Sequence, residues 1–175
     1  MPSLMSHLSR FEAKARARDD QGDYWWELRP CAYYPEFEKE KVVWKRVGSV
    51  IRFALDIDKK YVLDSCVFMN GEKIRYICAF LNSKLSVYQL LNNSPKTGTG
   101  DVIISVQALE PHRVPPITPE NQPLVAQIEA LVNQILARKR GNPNADTRDL
   151  ERAIDDIVYR LYDLTPDEIR LVEGG

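Results

Sequence analysis

The spacing of apolar and polar positions divides the chain into three zones. Residues 3–20 are charged and helix-compatible, with Leu4, Leu8 and Phe11 at the three-to-four-residue spacing of one apolar stripe. The second half of this stretch, Glu12-Ala-Lys-Ala-Arg-Ala-Arg18, has only alanines on its apolar side. That predicts a helix that is exposed or packs on something outside this chain, and Gln21-Gly22-Asp23 ends it.

The middle zone changes period. Short runs rich in β-branched and aromatic residues occupy 42–47, 50–55 and 61–69, punctuated by Gly48-Ser49 and Asp58-Lys59-Lys60 as hairpin turns would be. In 50–55 a period of two sets Arg52 on the face opposite Ile51 and Phe53, whereas strict alternation fails in Val42-Val43-Trp44. Residues 72–91 switch to helical spacing at Ile74, Ile77, Cys78, Leu81, Leu85 and Tyr88, with Asn82-Ser83 placed to bend one helix or to cap a second. A loop over 92–100 and a strand over 102–106 complete the zone.

The third zone opens on Pro111, Pro115, Pro116 and Pro119, a stiff extended connector. Thr118 is placed to cap a helix with Pro119 in its first turn and a stripe of Leu124, Val125, Ile128, Leu131, Val132, Ile135 and Leu136. Arg138-Lys139-Arg140 followed by Gly141 and Pro143 ends that helix, as the helix dipole favours. Asp146 or Thr147 caps a second, with Leu150, Ile154, Ile157, Val158 and Leu161 as its stripe, and Thr165-Pro166-Asp167-Glu168 is a capping box for a third. The predicted fold is α/β (α+β): a twisted, mainly antiparallel sheet with the 72–91 helical segment against it. A C-terminal helical hairpin packs through Ile128, Leu131, Ile135, Ile154, Ile157 and Leu161. Its acidic first turns and continuous seams read as packing and not as chemistry.

Length and composition narrow the class. At 175 residues, 44% hydrophobic and 28% charged, the chain allows one ordinary domain or a domain with a helical appendage, and is too short for two enzyme domains. No apolar run approaches the roughly 18–20 residues of a bilayer span, and residues 1–18 lack the apolar core of a secretory signal. Cys31, Cys66 and Cys78 cannot all pair and show no metal-ligand spacing, which fits a reducing, cytoplasmic compartment without structural zinc.

Candidate catalytic groups are sparse. With His7 and His112 the only histidines, a His-based metal cluster or a conventional triad has little to build on. Gly98-Thr99-Gly100 precedes a strand, whereas a phosphate-cradling glycine loop opens a helix. Cys31 has no suggested histidine partner, and Asp155-Asp156 falls on the predicted hairpin, where a solvated face explains it. No catalytic or metal-ligating residue is assigned.

Charge is uneven. Up to Thr118 there are 17 basic and 14 acidic residues, and beyond it 7 basic and 11 acidic. The excess of bases concentrates in 39–60, a polyanion footprint or, on a second reading, solvated strand edges rich in lysine. Lys41, Lys45, Arg46, Arg52, Lys96 and Thr97 are the candidate DNA-binding residues, since these side chains reach phosphates and base edges. Trp25 and Trp26 either face a core from a strand or stack on a base.

Six blocks in order carry a resemblance. They are Tyr24-Trp-Trp-Glu-Leu-Arg29, Tyr34-Pro-Glu-Phe-Glu-Lys-Glu-Lys-Val-Val-Trp44, Arg52-Phe-Ala-Leu-Asp56, Tyr76-Ile-Cys-Ala-Phe-Leu-Asn-Ser-Lys-Leu85, Val114-Pro-Pro-Ile117 and the tail from Asp146 to Ile169. Together they resemble the TaqI-like C-terminal specificity domain of adenine-specific DNA methyltransferases, found in type IIG restriction–modification enzymes and related phage-defence methylases. The resemblance implies a non-catalytic target-recognition domain of a prokaryotic cytoplasmic enzyme. Its partners would be double-stranded DNA and an N-terminal methyltransferase domain of the same parent, which would bind S-adenosylmethionine and methylate a flipped adenine. Residues 1–20 would be a helical linker from that domain, 21–118 the recognition domain and 119–175 the packed hairpin.

This chain lacks the Asn-Pro-Pro-aromatic motif of such a catalytic domain, because Pro115-Pro116 is not preceded by Asn. Glu38-Lys-Glu-Lys41, within the 34–44 block, resembles the Asp/Glu-x-Lys half of a nuclease motif only superficially, and no such motif is found. The alternative, from a different class, is a protein-interaction adaptor that docks a partner subunit through the hairpin. Titration calorimetry of this chain with S-adenosylmethionine is expected to show no binding, and a micromolar dissociation constant would overturn the expectation.

Overall fold

In the computed structural model, which describes residues 2–174, the alanine-rich N-terminal stretch forms two short helices, α1 (Pro2–Ser9) and α2 (Glu12–Arg16). The Arg18 guanidinium organises the turn beyond them, donating to the carbonyls of Ala15 at 3.2 Å, Trp25 at 3.1 Å and Glu27 at 2.6 Å. Residues 24–27 therefore form a turn, closed by Glu27 N–H on the Tyr24 carbonyl at 2.9 Å, and not a strand. Tyr24 and Trp26 stack with ring centroids 4.7 Å apart, Trp25 meets Trp26 edge-on, and Arg16 lies over Trp25. Gly22 is required here, since a Cβ would sit 2.6 Å from that of Glu27. This first compact unit runs to Glu36 and takes in the aromatic block that the sequence places with the recognition domain. The short α3 (Tyr34–Phe37) spans the boundary to the second unit.

In the second unit the strands are β1 (Lys41–Lys45), β2 (Val47–Gly48), β3 (Phe53–Asp56), β4 (Cys66–Met69) and β5 (Val102–Ile103). β1 is the centre of an antiparallel sheet ordered β3-β1-β4, and β2 pairs antiparallel with β5. Residues opposite each other across an antiparallel pair share a face. The register Val42↔Leu55, Val42↔Met69, Trp44↔Phe53 and Trp44↔Val67 therefore collects six apolar side chains on one face, all part of the core. The other face takes Lys41, Val43 and Lys45 from β1, with Asp56, Ala54, Phe68 and Cys66 opposite them.

α4 (Ile74–Asn82) lies between the apolar sheet face and the C-terminal helices, packing on β1, β3, α7 (Gln122–Gly141) and α8 (Arg148–Leu161). Its position explains its composition: Ile74, Tyr76, Cys78, Ala79, Phe80 and Leu81 are all buried, as in a helix covered on several sides. Ser83 ends it in an extended conformation and caps α5 (Lys84–Asn93), its hydroxyl accepting from Ser86 N–H. The Asn82 side-chain amide works as a short strand on the free edge of β3. It accepts from Phe53 N–H at 3.0 Å and donates to the Phe53 carbonyl at 2.8 Å, which closes an edge open to pairing with another chain. α7 and α8 pack on each other, with Ile128, Ile154 and Ile157 buried and Leu131, Ile135 and Leu161 packed against the same core. Two further helices complete the unit. Ser105 caps α6 (Val106–Leu109), and the Thr165–Glu168 capping box opens α9 (Pro166–Gly174).

Several boundaries differ from the sequence reading. The strand expected over 50–55 begins only at Phe53, and that over 61–69 only at Cys66. Asp56 accounts for the second shift: its two carboxylate oxygens accept from Asp58 N–H and Lys60 N–H, turning the chain out of the sheet. Gly48-Ser49 does lie between two antiparallel neighbours, β1 and β3, but their connection runs over 46–52, longer than a tight turn, and its Val47-Gly48 pairs with β5 as β2. Ser105 caps α6, which cuts 102–106 to two strand residues. α7 starts at Gln122, with Pro123 in its first turn. Asn121 takes the capping position instead of Thr118, accepting from Thr118 N–H and donating to the Pro116 carbonyl.

Lys41 is the chain's least expected core residue. It is 0% exposed, its ammonium 2.6 Å from Asp56 Oδ2 and donating to the Phe37 carbonyl at 2.8 Å. Phe37 stacks on Tyr61 and leans on Phe68, roofing this part of the sheet. Burial pushes the Asp56 carboxyl up, but the Lys41 ammonium and the N–H groups of Lys60 and Asp58 outweigh it and hold the group below its usual value. Lys41→Ala, which leaves that carboxylate without its buried partner, is expected to lower unfolding free energy by about 3–5 kcal/mol. Urea denaturation of variant and wild type measures this, and a loss below about 1 kcal/mol would contradict it.

Candidate nucleic-acid interface

The basic residues of 39–60 separate according to the pleat. Lys41 is committed to Asp56 beneath Phe37, so its charge is not presented to a ligand. Lys45, on the same face of β1, is exposed at the strand's end. Arg52 directly precedes Phe53, the partner of Trp44, and lines a groove at the edge of β3. Arg46 lies at the passage between the two sheets, its N–H donating to the Ser65 carbonyl at 3.1 Å and its carbonyl accepting from Ile104 N–H at 2.9 Å.

Lys96 reaches the same end from the other direction. It forms a bridge to Val102, which pairs on its opposite side with Gly48. Lys96 and the β2 backbone are thus two strand spacings apart, about 10 Å. Thr97 shapes this loop: its N–H donates to the Asp101 carbonyl at 2.8 Å and its hydroxyl accepts from Asp101 N–H at 3.0 Å. Gly100 closes the turn at φ +92°, a conformation suited to glycine. Lys45, Arg46, Arg52 and Lys96 are all exposed, and none has a carboxylate within ion-pair distance among the described residues. Cations elsewhere on the chain are engaged: Lys60 with Asp58, Lys73 with Glu129, and Arg75 with Glu40.

The passage between sheets also presents apolar side chains that the sequence reading did not single out. Val47, Val50 and Leu63 are exposed beside these cations. Asp64-Ser65 after Leu63 is a turn signal inside a run read as continuous strand, and it could have marked Leu63 as a tip residue.

Cys78 is buried, its thiol pushed up to about 12 by desolvation and directed at the Phe53 carbonyl, so it is not a thiolate. His112 lies half-buried against Ser86 and Ala108, and burial depresses its pKa. Cys31 belongs to the first unit, beside Tyr33. Among the described residues no group of three His, Cys, Asp or Glu side chains is arranged to hold a metal ion. No helix there is long and apolar enough to cross a membrane.

A groove of about 730 Å³ runs between the edge of β3 and helices α4, α7 and α8. Asp155 lines it, and is 7% exposed. Its carboxylate accepts from Lys84 N–H at 2.8 Å, at the start of α5. Burial pushes this carboxyl up to about 6, against the pull of the Lys84 contacts. A carboxyl whose pKa is higher folded than unfolded makes the folded chain bind a proton more tightly, so its contribution to stability declines as pH rises from about 4 to about 6. Asp155→Asn retains the acceptor and removes the buried charge. It is expected to raise the melting temperature relative to wild type at pH 8 and to leave it nearly unchanged at pH 4, measured by thermal denaturation at both values. A variant equally destabilised at both would contradict the assignment. No family model matches the chain and neither does any curated protein, so the motifs and the geometry carry the functional argument.

Proposed function

We propose that this chain is a DNA target-recognition domain, gripping duplex DNA so that a methyltransferase domain of the same parent can act on a flipped adenine. The observation that carries the reading is the meeting of Lys45, Arg46, Arg52 and Lys96 at one end of the sheet, exposed and without carboxylate partners among the described residues. Scattered lysines on solvated strand edges would not be expected to converge from three separate segments of chain. Lys41 is not part of this set, and Thr97 contributes by shaping the loop that carries Lys96.

The sequence resemblance supplies the enzyme class, and physical reasoning supplies the division of labour. Extruding a base from the stack costs a few kcal/mol. A second module that holds the duplex in register offsets part of that cost and selects the site. Phosphate contacts from the lysines give affinity, and bidentate contacts from an arginine to a base edge give sequence preference. The parent's cofactor is S-adenosylmethionine, bound outside this chain, and the setting is the cytoplasm of a prokaryote with a restriction–modification or phage-defence system. The hairpin of α7 and α8 turns its apolar seam to the chain's own core, where it supports the sheet through α4.

Binding to fluorescent duplexes over a salt series tests the reading. Lys45→Ala and Lys96→Ala are each expected to weaken binding on all sequences and to flatten the salt slope by about 0.9 for each phosphate no longer neutralised. Arg46→Ala is expected to relax preference at one base pair by roughly 1–3 kcal/mol. If substitutions at Lys45, Arg46, Arg52 and Lys96 leave affinity and salt dependence unchanged, the proposal fails.

A further inference from the structure

Leu63 is the most exposed of the chain's large apolar side chains among the described residues, at 78%. It sits in the connection between β3 and β4, which is anchored along its length. At one end the Asp56 carboxylate accepts from Asp58 N–H at 3.0 Å and Lys60 N–H at 2.8 Å. In the middle Tyr61 stacks on Phe37 at 4.8 Å and its hydroxyl donates to Glu38 at 3.0 Å. At the other end Cys66 N–H donates to the Leu63 carbonyl at 2.9 Å, and the Ser65 carbonyl accepts from Arg46 N–H. A loop held at three points lays Tyr61, still 60% exposed, against Phe37 and could lay a leucine there too. It holds this one in water instead, in a turn bonded to the backbone of Arg46.

We propose that Leu63 is an apolar wedge that enters the base stack of the duplex held by the surrounding cations. This inference rests on the DNA reading above and adds a role that phosphate and base-edge contacts do not supply. Proteins that kink or open DNA do so by inserting apolar side chains between base steps while cations alongside hold the backbone. The required parts are present: an apolar tip on a restrained loop, with Arg46 bonded to the same turn, and Lys45 opposite Cys66 at its base. The neighbouring acid, Asp64, opposes phosphate approach at the turn itself, so the turn engages DNA through its apolar tip while the flanking strands carry the charge. The occupant is a nucleic acid duplex and not a protein, because the apolar tip is bordered by exposed cations that lack carboxylate partners among the described residues.

The test uses a duplex pool with 2-aminopurine at a central pyrimidine–purine step, which unstacks readily, between random flanks. Anisotropy of an end label reports binding, and 2-aminopurine fluorescence reports unstacking. At saturation the wild-type chain is expected to raise 2-aminopurine fluorescence severalfold. Leu63→Ala and the similarly sized but polar Leu63→Gln are expected to remove most of that rise while keeping the same thermal midpoint, since the side chain packs on little. Lys45→Ala is expected to weaken binding yet give the full rise once saturated. Saturable binding with no rise in the wild type, or an undiminished rise in both Leu63 variants, overturns the wedge and leaves the DNA reading standing. Absence of saturable binding at low salt overturns both.

Discussion

The arrangement of this protein depends on how Ile104 is held. Its carbonyl accepts the Trp44 indole N–H at 2.9 Å in the buried core, and its own N–H donates to the Arg46 carbonyl at 2.9 Å. These two bonds clamp the segment after β5 across the point where the chain leaves one sheet for the other. A buried indole N–H without an acceptor costs about 1–3 kcal/mol, so the acceptor fixes position as well as adding stability. The loop bearing Lys96 hangs from β5, and the turn bearing Leu63 hangs from the Arg46 N–H. The placement of the Lys96 loop and the Leu63 turn relative to Arg46 therefore traces to this crossing.

The lysines of β1 show how burial assigns different jobs to the same residue type. Lys41 and Lys45 share a face of one strand, and a census of charge counts them alike. Phe37 and Tyr61 cover one end of that face, which turns Lys41 into a core cation whose work is to neutralise Asp56 and hold a carbonyl. The roof does not continue over the strand's other end, and Lys45 is left to solvent. The Lys41–Asp56 pair cancels within the basic balance of the region, so its surplus rests on the other cations, Lys45, Arg46 and Arg52 among them.

Much of the architecture was legible because periodicity is a local property that packing then respects. The seams of α7 and α8, the Ser83 cap and the Thr165 capping box come from spacing and capping chemistry. Strand ends were less legible, for a physical reason. Whether Tyr61, Val62 and Leu63 pair with β1 depends on a carboxylate further back in the chain, at Asp56, closing a turn. Likewise Thr118-Pro119 and Asn121-Gln122-Pro123 present competing starts for one helix, and the side chain of Asn121 decides between them by bonding back to Thr118 N–H and the Pro116 carbonyl. The basic cluster was visible as composition, but its convergence depends on Lys96 reaching Gly48 through Val102, a long-range pairing that spacing alone does not encode.

The anchoring of the connection between β3 and β4 has a consequence for how such a fold diversifies. Its ends are fixed by backbone bonds and by one carboxylate, while the core of α4, α7 and α8 lies on the far side of the sheet. The connection behaves as a cartridge on a fixed mount: its tip can be recoded without disturbing the helices that fold the chain. The hairpin that carries Thr97 and Gly100 is mounted in the same way on β5. On the DNA reading proposed above, two such cartridges on one frame let new binding preferences arise through a few exposed positions, at little risk to folding.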